Sequence, residues 1–351
     1  MNVDSFFTSL VQPRSQIFLF FCTALCVILL ILLKRQTFTA FEQSPILFPF
    51  TPAAIKSWGG DPSIVKIGMN IINFPSFNLT DSEFTVDAIV WFGYDPAHVS
   101  TETLGKFSFE RGEVVKRSSP DSKKVGNKLL TQYEVRVKFS SPLDVTLFPI
   151  DQHRIFLSLV NTYVFPSDII LESDKKIFVI SQGLQLDEWY VVDRNVNYGY
   201  NETFLEESEE NAIRYPKVIF SVDFSRLGAR KLLLIFLPLF FIFFISLISL
   251  SFDPKTHKSD IVSLSFGSIS SLIGYRFVIQ GLSPNVGYFM LSDHIFTILF
   301  SCMFIIFLVG IVLIKKGELT PLWNYIRGTL LCLCHATFTL SWYILLFRWS
   351  L

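Results

Sequence analysis

Side chains able to do chemistry are thinly spread along this chain. The tightest group is Cys332-Leu-Cys334-His335, two thiols and an imidazole. Such a set could begin a zinc site, but it lies inside an apolar run and lacks a second pair of ligands, so helix packing is the simpler reading. The acidic run from Glu202 to Glu210, ETFLEESEE, could hold a divalent cation; a solvated loop is again simpler. His98, His153, His257 and His294 are scattered, and no GxSxG, HExxH, GxxxxGKS/T or CxxC pattern occurs. No enzyme activity, metal or cofactor is therefore expected. Lys and Arg number 30 and so do Asp and Glu, so there is no basic excess to suit a nucleic-acid partner. All five Cys (Cys22, Cys26, Cys302, Cys332, Cys334) lie in apolar runs, so the long polar stretch between them folds without disulfides. Asn78-Leu-Thr80 and Asn201-Glu-Thr203 are glycosylation sequons, meaningful only in a host that glycosylates.

The elements that carry these groups divide into two kinds. The chain has 351 residues, half of them hydrophobic, 38 Phe and only 17% charged residues. A bilayer core needs roughly 20 apolar residues as a helix. Ile17 to Leu33, Leu232 to Phe252, Ile295 to Ile314 and Thr329 to Phe347 approach or reach that length without a Lys, Arg, Asp or Glu. A fifth segment, Ile261 to Leu282, is rich in Ser and Gly and contains Arg276. Such a helix suits shielding by neighbours, with one face on water. Arg276 would oppose cations if it turned into a lumen; turned into the bundle, it needs a partner, for which Asp293 is the candidate. Lys255 and Lys258 lie in one link, and Lys315, Lys316 and Arg327 in another, whereas the link from Leu282 to Ser292 has no basic residue. The positive-inside rule makes the first two links cytoplasmic and the third external, which places residues of about 36 to 225 outside. Lys34 and Arg35 run against this count, which a large translocated domain tolerates. The first apolar segment is either an uncleaved anchor or a signal peptide cut near Ala40.

The stretch between these segments alternates with period two. In Gln132 to Phe139, Tyr133, Val135, Val137 and Phe139 face one way, and Glu134, Arg136 and Lys138 the other. Phe84 to Val90 and Val218 to Phe224 repeat the pattern, with turn signals such as Tyr94-Asp95-Pro96 between such runs. The expected fold class is α+β: an external antiparallel β-sandwich of roughly eight to ten strands, then a four-helix membrane bundle, plus one N-terminal membrane helix. The expected divisions are residues 1–40, 41–228 and 229–351.

Phe148-Pro149-Ile150-Asp151, within SPLDVTLFPIDQHRIFLSL, resembles the signature loop of pentameric ligand-gated ion channels, the Cys-loop receptor superfamily. Animal members close that loop with a Cys pair; here Ser141 and Ile155 stand at those places, as in the Cys-less prokaryotic members. His153 stands where the family usually has Gln. Arg226 followed by Pro238, then Tyr275-Arg-Phe277, Gly281-Leu-Ser-Pro284 and Tyr288, resemble the family's order of motifs. The resemblance covers about residues 60 to 350 and implies a homopentamer in the plasma (inner) membrane, with the β-domain outside. It implies gating coupled through Phe148, Pro149, Asp151, Arg226 and Pro284, with Asp151 reaching towards Arg226. It also implies a pore lined by Ser263, Gly267, Ser270, Gly274 and Phe277, with Asp260 at the cytoplasmic mouth as a ring favouring cations. The family's usual mid-pore Leu or Ile is replaced by Ser270, which leaves Phe277 as the only bulky residue of the stripe. Val262, Phe266, Ile269 and Ile273 are expected on the packing faces. Family position makes Tyr163, Trp189, Tyr198 and Tyr200 candidates for an aromatic ligand box of unknown agonist; Trp91 reads as core. Two alternatives remain. A Ser/Gly stripe also suits close packing between helices. A non-conducting, membrane-anchored β-domain acting as a sensor or assembly protein would share the same architecture.

Overall fold

A computed structural model describes residues 3–59, 61–78, 82–181, 183–184, 186, 188–204, 212–226, 230–316 and 321–347. The end of the first sequon and most of the acidic run lie outside the described residues. The chain forms two compact units. One comprises residues 40–144 and 152–227; the other comprises 1–39, 145–151 and 228–351.

The first unit is a mixed sheet. Its strands are β1 (Ser63–Asn78), β2 (Glu83–Tyr94), β3 (Ser108–Phe109), β4 (Gly112–Arg117), β5 (Asp121–Val125) and β6 (Lys128–Ser140), followed by β7 (Gln152–Val160), β8 (Ile169–Glu172), β9 (Phe178–Ile180), β10 (Trp189–Phe204) and β11 (Ala212–Arg226). They lie in the order β10-β11-β7-β3-β4-β6-β2-β1-β8, with β5 on β6 and β9 on β1. Most pairs are antiparallel, but β1 runs parallel to both β8 and β9, which corrects the expectation of a purely antiparallel sheet. Period-two patterns report which face is buried and carry no information on strand direction.

The alternation itself holds. Phe84, Val86, Ala88 and Val90 of β2, and Tyr133, Val135, Val137 and Phe139 of β6, point into the core. The cross-strand rings Phe84 and Phe139 stack at 5.2 Å. Phe74 of β1 meets Phe224 of β11 at 5.6 Å, and Phe178 of β9 meets Phe220 at 5.1 Å. The two ends of the strand order therefore face each other across one core, and the arrangement is sandwich-like. Each fully buried aliphatic or aromatic side chain contributes about 1.5–3 kcal/mol. β11 departs from simple alternation: Ile219, Ser221 and Asp223 are buried as well as Val218, Phe220, Val222 and Phe224. A segment preceding the sheet covers part of this second face. Lys217 donates to the carbonyl of Ile46 at 3.3 Å, and Phe48 exchanges backbone hydrogen bonds of 2.9 Å with Tyr200. Two short helices complete the unit, α3 (Pro52–Ser57) and α4 (Thr101–Gly105). Thr51 and Ser100 cap them by accepting from the backbone N–H of Ala54 and Thr103.

The second unit is helical. It contains α1 (Val3–Leu10), α2 (Pro13–Gln36), α5 (Arg230–Ile248), α6 (Lys258–Leu282), α7 (Leu291–Lys316) and α8 (Pro321–Phe347). Five of these are long and apolar enough to cross a membrane: α2, α5 with its short extension to Ser251, α6, α7 and α8. The N-terminal helix packs as a member of the bundle. Phe20 of α2 lies 4.4 Å from Phe244 of α5, and the Thr23 hydroxyl is 2.8 Å from His335 Nδ1 on α8. The Ser251 hydroxyl donates to the Val11 carbonyl at 2.8 Å. Phe7 of α1 stacks edge-on against Tyr325 at 4.7 Å, directly over Gly328. A Cβ at Gly328 would meet the Phe7 ring at 2.6 Å, so glycine is what admits this ring. The Phe148–Pro149 peptide is cis.

Candidate functional site

α6 has the lowest mean hydropathy of the five membrane-length helices, 1.4 against 3.0 for α7. Its polar residues are sorted by face. Ile261, Ser265, Ser268, Leu272 and Ile279 are buried against the bundle. The two buried serines return their hydroxyls to the carbonyls of Ile261 and Leu264, each at 2.6 Å, so neither is left unsatisfied. At 3.6 residues per turn, the stripe of Ser263, Gly267, Ser270, Gly274 and Phe277 lies on roughly the opposite side. Ser263, Ser270 and Gly274 are exposed, Gly267 is half-buried, and Phe277 is 71% exposed. Nothing comes within 4 Å of a Cβ built on Gly267 or Gly274, so within the chain these glycines serve no close helix contact. Of the residues expected to pack, only Ile269 is buried; Val262, Phe266 and Ile273 are exposed along one flank of the stripe. Within the chain, the buried face of α6 is the Ser265/Ser268 side. Asp260, exposed in the first turn, lies 2.8 Å from His257 Nδ1 and complements the helix dipole.

The far end of α6 is tied to the neighbouring link. Arg276 forms an ion pair with Asp293, as the sequence suggested, and its guanidinium lies 5.3 Å from the Phe296 ring. The second oxygen of Asp293 accepts from the Met290 N–H at 2.9 Å. Arg276 is thereby drawn sideways into the bundle while its neighbour Phe277 stays exposed. The same link holds the Phe148–Asp151 loop. Leu291 N–H donates to the Thr146 carbonyl at 2.7 Å, and the Val145 N–H donates to the Tyr288 hydroxyl at 3.0 Å. Phe148, Pro149, Asp151 and Pro284 are all buried, and the Lys231 ammonium lies over the Phe148 ring at 5.7 Å. Backbone and side-chain bonds thus run continuously from residues 145–146, through 288–293, to Arg276.

In the sheet unit the aromatic candidates separate. Trp189 is 6% exposed, with the Arg226 guanidinium stacked on it at 4.3 Å and the His153 ring at 5.2 Å. It is a core residue and not the wall of an open box. Tyr200 packs within a cluster of Phe48, Phe50 and Trp58, all from the segment before the sheet. Tyr198 is 39% exposed and lines a cavity of about 390 Å³ with Pro45, Leu47, Asn197 and Ile219. Tyr163 is the most open of the four at 67%, with the Lys106 ammonium 5.2 Å from its ring centroid. These four residues do not converge on one pocket.

Several groups escaped the sequence reading. Arg226 donates to Glu188 at 2.6 Å. Glu42 accepts from buried His153 Nδ1 at 2.6 Å and from the Arg154 N–H at 3.1 Å. Arg154 makes a bidentate pair with Asp223 at 2.6 and 2.7 Å, which holds its guanidinium above the ordinary arginine range. Lys217, almost fully buried, pairs with Glu110 at 2.5 Å. Glu42 and Glu188 lie in aperiodic stretches, where no pattern marks a side chain as buried or paired. Across known proteins, no family model matches the chain and no curated protein resembles it significantly in sequence.

Proposed function

We propose that this chain is one subunit of a cation-selective membrane channel of the pentameric ligand-gated class, with the sheet unit outside and the free face of α6 lining the pore. The observation that carries the reading is that face. A Ser/Gly stripe ending in one exposed Phe lies opposite the helix's own packing surface, which is the chemistry a water-filled lumen asks for. Five copies would place five Asp260 carboxylates at one mouth and five Phe277 rings near the other. The first ring concentrates cations; the second closes the lumen by excluding water. Support also comes from the bonded path between the Phe148 loop and Arg276, which ties α6 to the loop that separates β6 from β7 in the sequence. In this reading the Phe148 loop and Pro284 carry the gating movement, and the agonist contacts the exposed Tyr163 or Tyr198. Native mass spectrometry in detergent and recording in a planar bilayer test it together. A pentamer that passes cations is the expected outcome; a monomer or dimer overturns it.

A non-conducting sensor of the same architecture is the second reading. Ser270, small and exposed where the family has a bulky gate, favours it. A pentamer that carries no current in any variant would make that reading the better one.

A further inference from the structure

α2 and α8 leave an apolar groove between them, a cavity of about 560 Å³. Its walls include Cys26 and Leu30 of α2 and Ala336, Thr339, Leu340 and Tyr343 of α8. Thr339 returns its hydroxyl to the His335 carbonyl at 2.9 Å, so the groove offers little for a polar ligand. Ala336 and Thr339, the small residues on the α8 wall, leave the space. Both helices can cross a bilayer, so whatever fills this groove comes from the bilayer.

One end of the groove is basic. Lys34 follows Leu30 by one helical turn, and Phe347 follows Tyr343 by one turn, so both continue the groove's walls. The two meet there, with the Lys34 ammonium 6.0 Å from the centre of the Phe347 ring. Lys34 is 4% exposed. Its ammonium donates to the Thr39 hydroxyl at 3.1 Å, and no carboxylate pairs with it among the described residues. A buried ammonium without a counter-charge is unfavourable in apolar surroundings. Arg35 adds a second positive charge at the next position. These are also the two residues that run against the charge rule for topology.

We propose that the groove holds an acyl chain of an anionic glycerophospholipid, whose phosphate is held at the basic end by Lys34 and Arg35. The chain fills the apolar walls, and the phosphate supplies the missing counter-charge. A zwitterionic lipid fills the same walls but brings no net negative charge to Lys34, so it binds more weakly. The inference does not depend on whether the protein conducts.

The test uses the full chain, purified in detergent, stripped of lipid and exposed to equal amounts of phosphatidylglycerol and phosphatidylcholine in mixed micelles. Retained lipid is read by native mass spectrometry. The wild type should retain phosphatidylglycerol over phosphatidylcholine by about thirtyfold, the factor that two basic residues near an anionic headgroup supply. Ala336→Phe should lose both lipids by filling the groove. Lys34→Gln should keep total retention while its preference falls towards parity. If Ala336→Phe does not fold, Thr339→Met fills the same space and is read in its place; if neither folds, Lys34→Gln still decides. Equal retention of both lipids by the wild type, undiminished retention by a folded groove-filling variant, or an unchanged preference in Lys34→Gln overturns the proposal.

Discussion

α2 and α6 are both long enough to cross a bilayer, yet they turn different chemistries away from the chain. α2 exposes Phe18, Phe21, Leu25, Ile28 and Leu32, side chains that lipid solvates well. α6 exposes Ser263, Ser270 and Gly274, which lipid does not favour. Their mean hydropathies, 2.9 and 1.4, record the difference, but not its arrangement. The two helices also bury their polar groups differently. α2 commits Thr23 to a single bond with His335, whereas α6 satisfies Ser265 and Ser268 against its own backbone. An outward apolar face needs no further partner than lipid. An outward polar face needs water or another copy of the chain, and that is what makes α6 the candidate site.

The sharpest way to break this comparison is to place a carboxylate on each outward face. Phe21→Asp should cost about 2.5–3.5 kcal/mol of membrane insertion, because the new charge faces hydrocarbon. Ser263→Asp should be tolerated if its face meets water, as the channel reading requires. Yield of folded protein by size-exclusion chromatography reads both, and equal losses would mean that the α6 face packs in lipid. The next largest effect concerns the outer end of α6. Arg276→Gln leaves Asp293, 8% exposed at its side chain, without its cation, and should cost about 3 kcal/mol. Lys175→Gln, which breaks an exposed pair with Asp193, should cost roughly 0–1 kcal/mol. Thermal unfolding in detergent compares them, and a charge-reversed pair, Arg276→Asp with Asp293→Arg, should recover part of the loss.

A smaller effect separates the two helices' polar groups. Thr23→Val strands a buried His335 nitrogen and should cost about 1–2 kcal/mol, while Ser270→Ala should stay within about 0.5 kcal/mol. If Thr23→Val is silent in the same thermal assay, α2 is held by its aromatic contacts alone. The most informative substitution for function is Asp260→Ala. It loses the His257 contact and the dipole complement, about 0.3–1 kcal/mol, and in the channel reading it should shift the reversal potential in asymmetric salt towards non-selectivity, while Phe277→Ser should raise the resting current. An unchanged reversal potential in a conducting protein would put the lining on another face of α6, beginning with Ile269 and Arg276.

Legibility followed periodicity. The core positions of β2 and β6 were readable because alternation and burial are the same fact in a half-buried strand. The membrane helices were readable because hydrocarbon demands length and apolarity. The Arg276–Asp293 pair was anticipated because an intramembrane charge must find a partner and few were within reach. Trp189 misled because an aromatic at a plausible position looks the same in sequence whether it faces solvent or sits under Arg226. Val262, Phe266 and Ile273 pose a related ambiguity. Apolar residues on a helix mark a face that avoids water, without saying whether a neighbour in the same chain covers it.

The amino-acid order alone determined the two kinds of element, their sequence along the chain, the faces of the best strands and the polarity of α6. These are local properties, set by side-chain period and by solvent. Tertiary structure decided the parallel placement of β8 and β9 on β1, the packing of α2 as a fifth membrane-length helix, and the partners of His153, Arg226 and Lys217. Each depends on residues brought together from distant parts of the chain. Glu42, in an aperiodic segment before the sheet, reaches His153, 111 positions on, and no local pattern encodes such a pair. Their partnership follows from which strands meet, because a buried carboxylate must take whatever donors the fold places around it.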